Sequence, residues 1–171
     1  MNTRYATSGD VPELVRIINL AYRVEDFFID GDRTNTQDVQ SRFVAPRACF
    51  IVIDAPDEQS LAAAVWVETH GKKGHFAVLS VDPAFQGNGL GRVMIDAVED
   101  HCRKAGCSSL DLEVVDLRAE LPAFYSKFGF EASGTAPFPS TEKLTQPACL
   151  LLMTKSLGKA QAVTRGSNFA F

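Results

Sequence analysis

The sequence predicts a single α/β (α+β) domain, a mixed central sheet of about seven strands flanked by about four helices. Three observations lead there. Apolar residues recur now with strand period and now with helix period, in the order β-α-α-β-β-β-α-β-α-β-β. A length of 171 residues suits one core and hides roughly two-thirds of the unfolded surface. A glycine-rich turn, Gly87-Asn88-Gly89-Leu90-Gly91, joins an apolar strand directly to the longest helical pattern.

Thr3 to Thr7 reads as a short edge strand. Asp10-Val11-Pro12-Glu13 opens the first helix, with Asp10 as N-cap, Pro12 in the first turn and Glu13 reaching back in a capping box. Leu14, Ile17, Ile18 and Ala21 carry its apolar stripe to about Tyr22. A loop follows, Val24 to Asn35, with Phe27 and Phe28 set among acids. Thr36 to Phe43 is a second, shorter helix that buries Val39 and Phe43. Ala48 to Asp54 and Leu61 to Thr69 are strands, the second long and mostly apolar as central strands are. Gly71 to Gly74 ends it, and His75 to Val81 is the strand entering the glycine turn. The next helix turns Val93, Met94, Ala97, Val98 and Cys102 inward, leaves Glu99, Asp100 and Arg103 in solvent, and stops at Ala105-Gly106.

Ser109 to Val115 alternates Leu110, Leu112 and Val114 against Asp111 and Glu113, as a half-buried strand does. A short helix from Glu120 to Lys127 is cut off by Gly129, and Phe130 begins another strand. The segment 135–146 is loop-like, and Ala148 to Thr154 is the final apolar strand. The domain is therefore expected over 1–155, with 156–171 a loose, glycine-punctuated tail.

Composition excludes several classes of function. With 46% hydrophobic and 22% charged residues and a net charge of -4, a nucleic-acid backbone is a poor partner. No run approaches the roughly 18 consecutive apolar residues of a membrane span, and the first ten residues lack the apolar core of a secretion signal. Cys49, Cys102, Cys107 and Cys149 form no C-x-x-C pair, so unbridged thiols in the cytoplasm are expected, and no metal site.

The chemistry gathers around the glycine turn. Backbone N–H groups at the start of a helix hold phosphate, and glycines let a ligand approach closely. Gln86-Gly-Asn-Gly-Leu-Gly-Arg92 is neither G-x-G-x-x-G nor a Walker A loop, and alone it could be a plain strand-to-helix turn. With the strand before it, it resembles the acyl-CoA pyrophosphate loop of the GNAT superfamily of N-acetyltransferases, Gln/Arg-x-x-Gly-x-Gly/Ala, matched by Gln86, Gly89 and Gly91. The resemblance extends to Leu112-Glu113-Val114 and to Phe124-Tyr125-Ser126-Lys127-Phe128-Gly129-Phe130, similar to the family's Leu-Glu-Val and Leu-Tyr-x-x-x-Gly-Phe segments. It departs at Arg118, where many members carry Asn, and at Leu121, where Ala is usual.

The resemblance implies a sheet splayed at the acyl-CoA site and acetyl-CoA as co-substrate. Its contacts would be Leu79, Ser80 and Val81 on the strand, Gln86, Gly87, Asn88, Gly89, Leu90, Gly91 and Arg92 at the turn, and Arg118. Arg118 alternatively meets a substrate acid or water. By the same resemblance Tyr125 is the general acid beside the thiol. Glu113 and Glu68 are rival candidates for the base that takes the amine proton. His75, at a strand start after Gly74, reads as exposed, and Ser80 has no His/Asp pair, so direct transfer is expected over an acyl-enzyme. Tyr22, Phe27 and Phe28 among Glu25, Asp26, Asp30 and Asp32 suit an amine-bearing small molecule or a peptide N-terminus, unless an aromatic there fills the core. A non-catalytic acyl-CoA-binding module is the alternative function. The acceptor and the choice between monomer and homodimer stay open.

Overall fold

The computed structural model describes residues 2–57 and 59–158. Its elements are β1 (Thr3–Tyr5), α1 (Val11–Tyr22), α2 (Thr36–Phe43), β2 (Ala48–Asp54), β3 (Leu61–His70), β4 (Lys73–Val81), α3 (Leu90–Lys104), β5 (Ser109–Val115), α4 (Glu120–Ser126), β6 (Glu131–Pro137) and β7 (Cys149–Ser156). The seven strands form one mixed sheet in the order β1-β2-β3-β4-β5-β7-β6. Only β4 and β5 are parallel; every other neighbouring pair is antiparallel. No helix among the described residues is long and apolar enough to cross a membrane.

Period-2 alternation sorts the strand side chains onto two faces. Phe50, Val52, Ala64 and Trp66 pack with Leu14, Ile17, Ile18 and Val39 of α1 and α2. Ile51, Ile53, Val65, Val67, Leu110 and Leu112 pack on the other face, with Met94, Ile95, Val98 and Cys102 of α3. The sheet thus has one helical layer on each side.

In β4 the alternation changes phase. Phe76 joins the α3 face, Ala77 and Val78 both join the α1 face, and Leu79 and Val81 return to the α3 face. The cause is a bulge: Ala64 pairs Ser80 and Trp66 pairs Ala77, which leaves Val78 and Leu79 opposite Val65 alone. Val78 takes φ 51°, a left-handed conformation that is rare for a β-branched residue. β4 parts from β5 just before the bulge. Their ladder holds only Lys73–Ser109, Gly74–Leu110 and His75–Asp111.

The sequence reading needs correction at a few places. The capping box sits one turn earlier, with Thr7 as cap and Asp10 accepting from its N–H at 2.7 Å. Glu13 instead accepts from Arg16 and from Leu61 N, tying α1 to β3. On α3, Val93 is 38% exposed while Ile95 is buried. Glu99 is also buried there, held by Arg103 and Lys155. A neutralised carboxylate is admitted to a core that sequence hydropathy would deny it. The strand at the end runs to Ser156, and Leu157 is buried behind it; the rest of the expected tail, 159–171, lies outside the described residues.

Gly74 measures how closely α3 and the sheet approach. A Cβ there would stand 2.4 Å from Cys102 Sγ and 3.2 Å from Leu110 Cδ1. Gly74→Ala should therefore cost about 1–3 kcal/mol in urea unfolding, by overpacking. In a Cys102→Ala background the same change should cost clearly less, because the blocking sulfur is gone. Equal costs in both backgrounds would contradict this account.

Candidate active site

Where β4 and β5 part, the protein opens a cleft of about 890 Å³. Its floor is Ala77, Val78, Leu79 and Val81 of β4, with Glu113, Val114 and Val115 of β5 across the gap. Gln86, Gly87, Gly89, Leu90, Gly91 and Arg92 form one end. Residues of the loop after α1, with Arg42 of α2 and Trp66 of β3, form the other.

The glycine end is shaped for an anion. Gly87 and Gly89 take φ 80° and 76°, and a Cβ on either would meet nothing within 4 Å, so both face open space. Gly89 is the N-cap of the fifteen-residue α3, and no side chain caps that helix. The amides of Leu90 and Gly91 donate to no protein acceptor among the described residues. Unpaired N–H groups at the positive end of a helix dipole fit the pyrophosphate of an acyl-CoA. Two residues expected here lie elsewhere. Ser80 is fully buried and its hydroxyl donates to Val78 O, because the bulge turns its side chain to the α1 face. Asn88 does not line the cleft; its amide side chain donates to Phe85 O and braces the turn.

Tyr125 enters the cleft from α4. Its ring lies within 6.0 Å of Phe76, Phe124 and Phe130, and the residue is 8% exposed. Its hydroxyl makes no hydrogen bond to the described residues, and burial pushes the phenol well above its ordinary pKa, Tyr22 adding to the shift. The phenol therefore stays protonated at neutral pH.

Glu113 and Glu68 are not independent. The His75 imidazole lies between them, with Nε2 2.9 Å from Glu113 Oε2 and Nδ1 3.2 Å from Glu68 Oε1. His75 is not the exposed group expected from its place after Gly74; its side chain is 24% exposed. Pairing explains this: His75 stands opposite Glu68 in the β3–β4 ladder and beside Asp111 in the last β4–β5 pair. Glu113 and His75 line the cleft, whereas Glu68 stands behind His75 and also meets His70 at 3.0 Å. Burial pulls the His75 pKa down, but its bonds to Glu113 and Glu68 outweigh burial and the net shift is upward. The hydrogen bond from His75 draws Glu113 down. His75 and Glu113 are therefore coupled in their titration.

Arg118 lines the cleft with its charge already engaged, by Glu120 and by Glu25 at 3.4 Å. The pair joins the loop after α1 to the loop before α4. Phe28 is fully buried and Phe27 is exposed, and neither lines the cleft; Tyr22, Trp66 and Phe138, which packs on Phe28, supply its aromatic surface at this end. Arg33 and Arg42 also reach it, and neither was singled out from sequence. Only tertiary folding brings the two loops and β3 together. No group of His, Cys, Asp and Glu among the described residues is placed to hold a metal.

The model of the Acetyltransferase (GNAT) family matches residues 12–130, most of the chain. The chain belongs to that family. Among its relatives, mycothiol acetyltransferase of Gordonia bronchialis is 29% identical over 131 residues, 74% of this chain and 42% of that protein. The chain spans less than half the length of the curated relatives it matches. Among solved structures, ribosomal-protein-S18-alanine N-acetyltransferase from Escherichia coli superposes with TM-score 0.74 at 20% identity, over 99% of each chain. The structure of yncA from Salmonella typhimurium with its cofactor acetyl-CoA superposes with TM-score 0.71 at 19% identity, over 94% of this chain and 96% of the other. What these structures share with the chain is the fold.

The unit around His75 has a defined pH signature. A raised histidine pKa contributes stability below the unfolded value, 6.5, and loses it as pH rises through the folded value. The lowered Glu113 pKa contributes above 4.5 and loses its share as pH falls through the folded value. Wild type should therefore exceed His75→Gln in Tm most between pH 4.5 and 6.5. By NMR the His75 ring should titrate above 6.5, and lower in both Glu113→Gln and Glu68→Gln. A midpoint unmoved by either change would show that the contacts are not made in solution.

Proposed function

We propose that this GNAT-family chain is an acyl-CoA-dependent N-acyltransferase that moves acetyl from acetyl-CoA directly to a primary amine, on a small molecule or a peptide N-terminus. One observation carries the reading: an uncapped glycine turn, two parted strands, a buried phenol and a carboxylate–imidazole unit share one cleft. Similarity to mycothiol acetyltransferase supports acetyl as the group moved, and the solved relative holding acetyl-CoA supports the donor. Unbridged thiols and the absence of a membrane-crossing helix among the described residues are compatible with a cytoplasmic setting.

Acetyl-CoA supplies an acyl group activated as a thioester; the protein supplies position and protons. The free amides of Leu90 and Gly91 would take the pyrophosphate, and the unpaired edge of β4 after His75 would align the amide groups of the pantetheine arm. The amine must lose a proton as its nitrogen bonds to the carbonyl carbon. That proton passes to the Glu113–His75 unit in its deprotonated form, with Glu68 positioning the ring. As the carbon–sulfur bond breaks, the Tyr125 hydroxyl gives its proton to the sulfur. Ser80 is turned away from the cleft and bonded to Val78 O, which supports direct transfer over an acyl-enzyme.

Binding is tested at Gly91. A Cβ there meets Phe124 Cζ at 3.4 Å, a contact the ring can absorb, and an acid in the first turn of α3 suits the helix. Gly91→Glu should therefore fold normally yet weaken acetyl-CoA by more than about tenfold in calorimetry, since its carboxylate occupies the anion's place. Unchanged affinity would remove the turn from the binding site.

Chemistry is tested at Tyr125. Tyr125→Phe keeps the ring among Phe76, Phe124 and Phe130 and deletes a hydroxyl that bonds to no described protein group. The variant should hold its Tm and its acetyl-CoA affinity within a few-fold. Its kcat should fall at least tenfold, within the roughly 10²- to 10⁴-fold that general acid–base help supplies. Absence of a pre-steady-state burst would establish that chemistry limits turnover. A wild-type rate under that condition would make Tyr125 a packing residue.

A further inference from the structure

The end of the cleft away from the glycine turn holds two cations that form no ion pair among the described residues, although the charge of Arg33 is felt by the Glu25 carboxylate. Arg118 is engaged by Glu25 and Glu120, and Glu113 by His75. Arg33 and Arg42 form no ion pair with any described residue; each guanidinium lies on an aromatic wall instead, Arg33 Cζ 5.0 Å from the Tyr22 centroid and Arg42 Cζ 4.7 Å from the Trp66 centroid. Asp38 lies one turn before Arg42 on α2 without bonding it, and Glu68 is taken by His70 and His75. Burial, and then the neighbouring charge of Arg33, press the Arg42 guanidinium below its ordinary pKa, and the more distant Tyr22, Asp38 and Glu68 offset this only in part.

The placement of Arg42 is fixed relative to the proton-accepting unit. The Trp66 indole N–H donates to Arg42 O at 3.2 Å, and the Trp66 ring packs edge-on against His75 with centroids 6.3 Å apart. One indole therefore spaces a guanidinium from the imidazole bound to Glu113. Guanidinium forks match carboxylate and phosphate oxygens, two bonds at a time, and are strongest where water is thinned. We propose that Arg33 and Arg42 form an oxyanion-binding end of the acceptor site, so that the amine acylated here also carries a carboxylate or a phosphate. This rests on the acyltransferase reading and narrows it; the acids at 26, 30 and 32 do not line the cleft but an adjoining hollow, which shares Tyr22, Glu25 and Arg33 with it.

The test pairs amines that differ only in the anion: γ-aminobutyrate with its primary amide, and phosphoethanolamine with ethanolamine. Thiol release from acetyl-CoA is measured for each. At least one anionic member should exceed its neutral partner about tenfold or more in kcat/KM, and which of them does so separates carboxylate from phosphate. Arg33→Gln and Arg42→Gln should abolish that preference mainly through KM, with acetyl-CoA affinity unchanged; Arg42→Lys should retain part of it. Because Arg33 is exposed, its variant carries little folding risk. Neutral amines acylated as well as anionic ones, or a preference that survives both Gln variants, would overturn the inference and leave the acyltransferase reading standing. If no amine releases thiol, that reading fails. The anion site is then judged by calorimetry on CoA-loaded protein, where phosphoethanolamine or γ-aminobutyrate must bind and its neutral partner must not; no binding by either overturns it.

Discussion

The whole arrangement depends on one strained residue in the middle of the sheet. Val78 holds a left-handed backbone that costs a β-branched residue of order 1–3 kcal/mol. Burial of its side chain against the α1 layer and resumption of pairing at Ser80 and Val81 offset that cost. The result is geometric. One extra residue shifts the pleat, bends β4 away from β5 after three parallel pairs, and frees strand edges that a regular sheet would have consumed. Continued in register from His75–Asp111, the two strands would bring Ala77 to Glu113 and Leu79 to Val115, positions that now face each other across the cleft.

A second constraint is charge compensation. Nearly every buried or half-buried acid near the cleft has a named partner: Glu25 with Arg118, Glu99 with Lys155 and Arg103, Asp82 with Arg16, Glu113 with His75. These pairs fasten elements distant in sequence, as Arg16 does in joining α1 to the turn after β4. They are weak evidence for stability, since desolvation consumes much of the attraction. They are better evidence for placement, because they pin the loop after α1 to the loop before α4 and α1 to the turn after β4. Against that background two unpaired guanidiniums on one wall stand out.

Much of this was legible in the sequence, and the reasons are physical. Thr36–Phe43, Ala48–Asp54 and Ser109–Val115 are bounded by residues whose local preferences agree with their periodicity, so their limits could be read directly. The glycine turn was legible because its backbone demands glycine at two left-handed positions, whatever surrounds it. What escaped was set by pairing across the sheet. Nothing local marks β7 as the strand between β5 and β6, or Val78 as the bulge in an otherwise apolar run. His75 looked exposed because its neighbour is glycine; Glu68 and Glu113, seven and thirty-eight residues away, decide its environment. Arg33 and Arg42 gave no signal, since an isolated arginine in a polar stretch looks solvated until the fold sets an aromatic wall behind it.

The two halves of the cleft are built by different physics, and this bears on what a GNAT-family scaffold can vary. The glycine end uses backbone: amides, a helix terminus and an unpaired strand edge, which few side-chain changes can alter. The opposite end uses side chains from the loop after α1, from α2 and from β3, each replaceable without disturbing the sheet. Between them stand the two groups whose protons the proposed transfer needs, and their environments push them apart in the required sense. Burial among phenylalanines keeps the Tyr125 phenol protonated, while the bond from His75 keeps Glu113 ionised. A donor that holds its proton and a carboxylate that has given up its own, open to one cleft, are the polarity of an acid and a base working on a single reacting centre. The fold creates that separation with apolar packing on α4 and a three-residue contact between strands, and it leaves the side chains of the proposed acceptor wall outside both.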